Sequence, residues 1–171
     1  MAEHIHAAFS ADFDARSTVR GMQGIADEDA DIEGEDMEEG VVYEQGDLRV
    51  TAFLVDHVVI EPAFGFRVDY EGRSIVLSGD TRYNENVVSY AAGADLLIHE
   101  TAVLPPGADP ENPSIKRILS VHTSPEEVAE ICTRAQPRLT VYSHIHYFEG
   151  ATDDHIASAT SAAYDGAFVV G

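Results

Sequence analysis

The chain has 171 residues and 44% hydrophobic content, enough for one domain with its own core. Its 31 acidic residues outnumber 10 basic ones, giving a formal net charge of −21 at pH 7. That balance argues against a polyanionic partner, because nucleic-acid binding rests on Lys and Arg that neutralise phosphates. Cys132 is the only cysteine, which excludes an intramolecular disulfide and a cysteine-rich zinc site. It falls on a helical pattern with Val128, Ile131 and Ala135 and reads as core filler. Lys116 is the only lysine. An acidic, lysine-poor surface suits a salt-rich, halophilic cytoplasm, or equally a high-GC genome that favours Arg, Ala, Asp and Glu. Met1-Ala2-Glu3-His4 lacks the basic start and apolar run of a signal peptide, and no stretch approaches a membrane span, so a soluble cytoplasmic protein is expected.

In chain order, Ile5, Phe9 and Phe13 recur at helical spacing and predict a short amphipathic helix. The dense acidic run from Asp27 to Glu39 predicts a solvated loop, without the spacing of a calcium loop. Residues 1–40 are therefore set apart from a second region, 41–171. Val41–Glu44 and Leu48–Val55 predict a hairpin about Gln45-Gly46-Asp47, and Phe64–Tyr70 and Ser74–Ser78 a second about Glu71-Gly72-Arg73. Asn84–Ala92 reads as a helix ending at Gly93. Asp95–His99 is a short central strand. Pro105–Pro113 reads as a loop. Ser124-Pro125-Glu126-Glu127 opens a helix with an N-cap serine, a first-turn proline and a capping box. Arg138–Tyr142, Asp153–Tyr164 and Ala167–Val170 read as strand, helix and strand. Alternation of strands and helices toward the C-terminus indicates an α/β layer.

Several apolar runs end in polar landmarks. They are Gly79-Asp80-Thr81, His99-Glu100, His122-Thr123-Ser124 and Ser143-His144-Ile145-His146. Carboxylates and imidazoles delivered repeatedly to strand ends are what an oxygen- and nitrogen-ligated metal centre needs. Each also has a plainer reading. Asp80 can cap the turn after its strand. His122 can be a residue of the turn before a helix. His146 shares a face with His144 if the strand continues, and the two can then bind one metal together; if the strand stops at Ser143, His146 is a surface residue. His99 closes an apolar run and reads as buried structure. His57 ends the run Phe53–Asp56. His4, His6 and His155 read as surface residues.

Taken with Ala63-Phe64-Gly65-Phe66-Arg67, these landmarks resemble the metallo-β-lactamase superfamily, in its ribonuclease Z-like branch of metal-dependent hydrolases. The branch carries, in order, "H…AFGYR", "GDT", "HE", "H-[ST]-[ST]" and "[ST]-H". Here these are His57 with Ala63 to Arg67, Gly79-Asp80-Thr81, His99-Glu100, His122-Thr123-Ser124 and Ser143-His144. The resemblance covers roughly residues 40 to 150 and corresponds to the C-terminal half of the family's domain. It implies an α/β fold of the α+β sandwich type, half of an αββα arrangement, with a mixed sheet and helices on one face.

The resemblance also implies zinc, one or two ions, with other divalent metals as alternatives. Asp80 matches a metal-bridging aspartate and His144 a terminal ligand, with His146 a further candidate. Glu100 and His122 match a proton-transfer pair. His57 and Thr81 belong to the pocket wall. The implied reaction is attack by a metal-activated water on an ester, lactone, amide or phosphodiester, with Asp80, Glu100 and His122 as the catalytic group. The family's upstream H-x-H-x-D-H is absent, since His4-Ile5-His6 runs into Ala7-Ala8-Phe9. The alternative is a catalytically silent half-domain or split-gene fragment acting as an interaction module. The negative charge points to a small-molecule substrate, with no nucleic acid and no membrane. A half-sandwich should leave Val50, Leu54, Phe66, Val76 and Ile98 on an apolar sheet face, so a homodimer or a partner chain supplying the missing half is expected.

Overall fold

The structure, a computed structural model, describes residues 7–11, 15, 18 and 36–171. The amphipathic helix rests on Ile5 and Phe13, which lie outside the described residues, as do His4, His6 and the acidic run from Asp27 to Glu35. The chain divides into two compact units, Met1–Met37 and Glu38–Gly171. All elements below belong to the second.

The strands are β1 (Gly40–Gln45), β2 (Leu48–Val55), β3 (Ala63–Tyr70), β4 (Arg73–Leu77), β5 (Leu96–Val103), β6 (Thr140–Tyr147) and β7 (Phe168–Val170). The helices are α1 (Glu85–Tyr90), α2 (Pro113–Leu119), α3 (Pro125–Ala135) and α4 (Asp153–Ala163). One seven-stranded mixed sheet holds the strands in sequence order. β1 to β4 pair antiparallel, and β4 to β7 pair parallel. β2, β4, β5, β6 and β7 therefore all run the same way, and their C-terminal ends open on one edge of the sheet.

Local chemistry explains the elements. Glu71 and Gly72 both take positive φ, 47° and 75°, the pair that a tight hairpin turn between β3 and β4 requires. Ser124 caps α3: its side chain accepts from the Glu127 N–H, Glu127 reaches back to the Ser124 N–H, and Pro125 fills the first turn. α2 is an addition to the sequence reading, which stopped at a proline-rich loop. Pro113 is not a breaker there but the first helical residue, and Asn112 caps it by accepting from the Ser114 N–H. β5 and β6 also run further than their apolar stretches suggested, because their last residues are held by each other across the ladder.

Neighbouring residues of one strand meet opposite fates. Phe53, Val76, Leu97 and Tyr142 are fully buried, in one core with Val87, Val128, Ile131 and Ile156 of α1, α3 and α4. Phe53 lies over Gly65, its partner on β3, and stacks on Tyr90 at 4.3 Å. A side chain at Gly65 would occupy the ring's place, with its Cβ 2.4 Å from Phe53 Cζ. On the other face, Leu54, Ile75 and Leu77 are 39%, 38% and 36% exposed. The register continues that face through Phe66, Ile98, Val141 and Val169. Val76, expected on the open face, lies instead under the helices, because its neighbours Ile75 and Leu77 take the outward positions.

Candidate metal centre

The polar landmarks meet at the edge where β2, β4, β5 and β6 end. Asp80 is brought there by two residues. Ser78 stays beside β5, its N–H donating to Ile98 O at 3.0 Å and its Oγ accepting from the Glu100 N–H at 3.1 Å. Gly79 then turns with φ +68° over the start of β3, where a Cβ would stand 2.3 Å from Phe64 O. Only glycine permits that turn at that approach. The chain thus carries Asp80 across β3 toward the end of β2.

Asp80 is the hub of the cluster. Its Oδ2 lies 3.0 Å from His57 Nε2 and 3.2 Å from His144 Nε2, and its Oδ1 lies 3.0 Å from His122 Nδ1. Among the described residues no arginine or lysine pairs with it. His144 arrives by an irregularity in β6. Between His99 and Thr101 the ladder slips, so that Ser143 and His144 oppose the single residue Glu100. His144 takes φ +46°, a left-handed conformation unusual for a side-chain-bearing residue. Bulges and left-handed residues of this kind re-aim side chains near functional sites.

His122 and Glu100 form the buried wall. Glu100 is 2% exposed. Its Oε1 accepts from the Thr123 N–H at 2.7 Å, and its Oε2 lies 3.0 Å from His122 Nδ1. Burial pushes the Glu100 carboxyl up to about 8, against the pull of the Thr123 N–H. Burial also lowers His122, against the attraction of Asp80. One nitrogen cannot serve two acceptors with one proton. With His122 Nδ1–H directed at Glu100, Asp80 Oδ1 has no hydrogen-bond partner of its own among the described residues, and neither has His57 Nδ1. Buried polar atoms without partners demand an explanation.

The donor chemistry fits a divalent cation. Asp80, Glu100 and His122 each offer a ligand atom, all within 4.8 Å of one another. The 3.2 Å between Asp80 Oδ2 and His144 Nε2 is close to the spacing of roughly 3.3 Å that donors on one tetrahedral zinc keep, given bonds of about 2.0–2.1 Å. Of the residues singled out from sequence, His57, Asp80, Glu100, His122 and His144 meet in one contact network. His146 lies on the continued strand, its ring stacked on His122 at 5.8 Å and edge-on to Phe148 at 4.8 Å, without contact to Asp80. Thr81 is fully buried and turns its hydroxyl to main chain, accepting from the Asp56 N–H at 3.0 Å and donating to Arg82 O at 2.8 Å.

Sequence reading missed the supports. Thr123 is the chief one: its N–H holds Glu100, its hydroxyl donates to Thr81 O at 2.7 Å, and its carbonyl accepts from Thr101 Oγ1 at 3.0 Å. Its place in His122-Thr123-Ser124 was the available signal, but that motif does not say that Thr123 ties Glu100 to Thr81. Ser78, Asp56 and Arg82 carried none beyond their neighbourhood to Gly79 and His57.

The beta-lactamase superfamily domain matches residues 3–145 of this chain. Ribonuclease Z of Mycolicibacterium gilvum is 31% identical over 113 residues, covering 66% of this chain and 40% of the relative. Ribonuclease Z of Mycobacterium avium is 32% identical over 106 residues, covering 62% and 38%. Among solved structures, the metallo-β-lactamase fold protein YhfI of Bacillus subtilis superposes with a TM-score of 0.61 at 18% identity, over 75% of this chain and 48% of that one. The short form of human tRNase Z gives 0.50 at 27% identity, over 62% and 39%. The chain belongs to the metallo-β-lactamase superfamily. Within it, the relatives place the chain in the ribonuclease Z-like branch, and it spans about 40% of the length of the curated relatives it matches.

These relatives correct the expectation of a small-molecule substrate in place of nucleic acid, since ribonucleases act on RNA. The error lay in reading a site from a whole-molecule sum. A net charge of −21 includes the acidic run of residues 27–39. A whole-molecule sum does not report on the local charge at one edge of the sheet.

Proposed function

We propose that this chain furnishes one side of a zinc-dependent phosphodiesterase centre acting on RNA, of the ribonuclease Z kind. The observation that supports it most is Asp80, held among three imidazoles with no arginine or lysine paired to it among the described residues and with Oδ1 lacking a partner. An ion-paired structural aspartate has the opposite surroundings. Asp80 and His144 would hold the cation, with His57 and His122 at its margin; imidazole with carboxylate suits zinc better than magnesium or calcium. A divalent cation there supplies Lewis-acid chemistry, acidifying a water and offsetting negative charge on the phosphodiester.

The chain's own residues supply the rest. Glu100 fixes His122 through Nδ1 and so assigns Nε2 the task of giving a proton to the departing oxygen. Thr123 and Ser78 keep Glu100 in place. The family's H-x-H-x-D-H motif is not in this sequence, and a second chain carrying it would supply the donors that face Asp80 from the other side. The test is zinc uptake by wild type and Asp80→Ala, together with zinc-dependent cleavage of a precursor transfer RNA by each once a chain carrying the H-x-H-x-D-H half is added. Loss of both in a folded variant is expected. Zinc uptake and cleavage unchanged by Asp80→Ala would overturn the reading.

A further inference from the structure

His57 and Asp80 meet at 3.0 Å although they follow strands that are not neighbours. β3 lies between β2 and β4, so no ladder hydrogen bond joins the two loops. What joins them is a pair of two-residue segments, Asp56-His57 and Thr81-Arg82. The Arg82 N–H donates to Asp56 O at 3.0 Å, and the Asp56 N–H donates to Thr81 Oγ1 at 3.0 Å. The side chains repeat the link, with Arg82 Nε and Nη2 both on Asp56 Oδ2, at 2.8 and 2.5 Å. The other carboxylate oxygen, Oδ1, accepts from the Val58 N–H at 3.0 Å, closing the turn after His57, where Val58 takes φ +60°. One carboxylate thus both reinforces the link between the two loops and closes the turn after His57. The Arg82 guanidinium accordingly holds the Asp56 carboxyl below the usual range.

The pair has a second consequence. Arg82 is two residues from Asp80 in the chain. Turned onto Asp56, it leaves Asp80 to the imidazoles. Without Asp56, a free guanidinium beside Asp80 would compete with a cation for the same carboxylate.

We propose that Asp56 and Arg82 are positioning residues: their ion pair fixes His57 against Asp80 and withholds Arg82 from the cation site. The proposal rests on the zinc reading above for its effect on affinity, and not for its geometry. Asp56→Asn keeps the acceptor for Val58 and removes only the ion pair, so it separates the clasp from the turn. Zinc titration of the 171-residue chain should show Asp56→Asn weakened about 10–100-fold, the range for removal of groups that orient ligands. Arg82→Met should cost less, because it frees no competing charge. The double variant Asp56→Asn/Arg82→Met should recover to the level of Arg82→Met. A merely structural pair gives no such recovery.

A metal-free readout accompanies the titration. Nuclear magnetic resonance of the imidazoles should show the His57 to Asp80-loop contact in wild type and its loss in Asp56→Asn. Zinc affinity within about twofold of wild type in all three variants, with the His57 contact unchanged, overturns the clasp. If wild type and Asp80→Ala take up zinc alike, the zinc reading fails instead, and the metal-free contact alone then decides: retained in Asp56→Asn it sinks the clasp, lost it upholds the clasp.

Discussion

Two aspartates at opposite edges of the sheet show what sets the candidate centre apart. Asp95, just before β5, is satisfied in full. Its Oδ1 accepts from Arg73 Nη1 and Arg138 Nη1, each at 2.9 Å, and its Oδ2 from the Ser74 N–H at 2.9 Å. The Ser74 N–H, followed by Arg73, holds its carboxyl below the usual range. Asp80, past the end of β4, has three imidazoles, a buried carboxylate nearby and an oxygen without a partner. One edge spends its charge on holding strands together. The other gathers groups that repel or desolvate one another and that a cation would reconcile.

The sharpest way to break that contrast is to deny the second edge its backbone path. Gly79→Ala forces a side chain into a left-handed turn and against Phe64 O. It should cost about 3 kcal/mol or more of stability, a loss read by denaturant unfolding. A cost near zero would show that Asp80 reaches the edge by another route.

The pH dependence comes next. Glu100 is raised in the fold from 4.5 to about 8, chiefly by burial. Its favourable contribution is complete below 4.5 and is lost as pH rises toward 8. Buried His99 is lowered from 6.5 to about 4. Its contribution is complete above 6.5 and is lost as pH falls, so the two oppose each other below 6.5. Between pH 6.5 and 8 Glu100 should cost the metal-free protein about 2 kcal/mol, at about 1.4 kcal/mol per pH unit. Glu100→Gln should flatten that slope, and an unchanged slope would remove Glu100 from the explanation.

Asp95→Ala should destabilise the metal-free protein, to an extent limited by the exposure of its arginine partners. Asp80→Ala should be neutral or stabilising, because it removes a charge that opposes ionisation of Glu100. Equal losses in thermal unfolding would erase the distinction. His144→Gly should also stabilise. Relief of its left-handed backbone should raise metal-free stability by about 1 kcal/mol, even as a ligand is removed.

Much of this edge was legible in the sequence because each landmark closes its own apolar run. Gly79-Asp80, His99-Glu100 and His122 follow stretches whose β-branched and leucine content marks strands or a helix start, so their arrival at element ends is a local matter. What could not be read is relational. His144 takes its direction from a two-for-one bulge opposite Glu100, and a bulge leaves no period in the chain. Arg82 pairs with Asp56 across an intervening strand, 26 residues away. α2 was missed because a proline that starts a helix reads, in isolation, like one that prevents it. Val76 was assigned to the wrong face by one step of the two-residue period, which exchanges every neighbour.

The most direct measurement is calorimetric zinc titration of wild type, Asp80→Ala and Asp95→Ala under one buffer. Wild type should bind, Asp95→Ala should bind within about twofold of it, and Asp80→Ala should lose affinity by about 100-fold or more. Undiminished zinc binding by a folded Asp80→Ala protein would contradict the assignment of this edge as a metal centre.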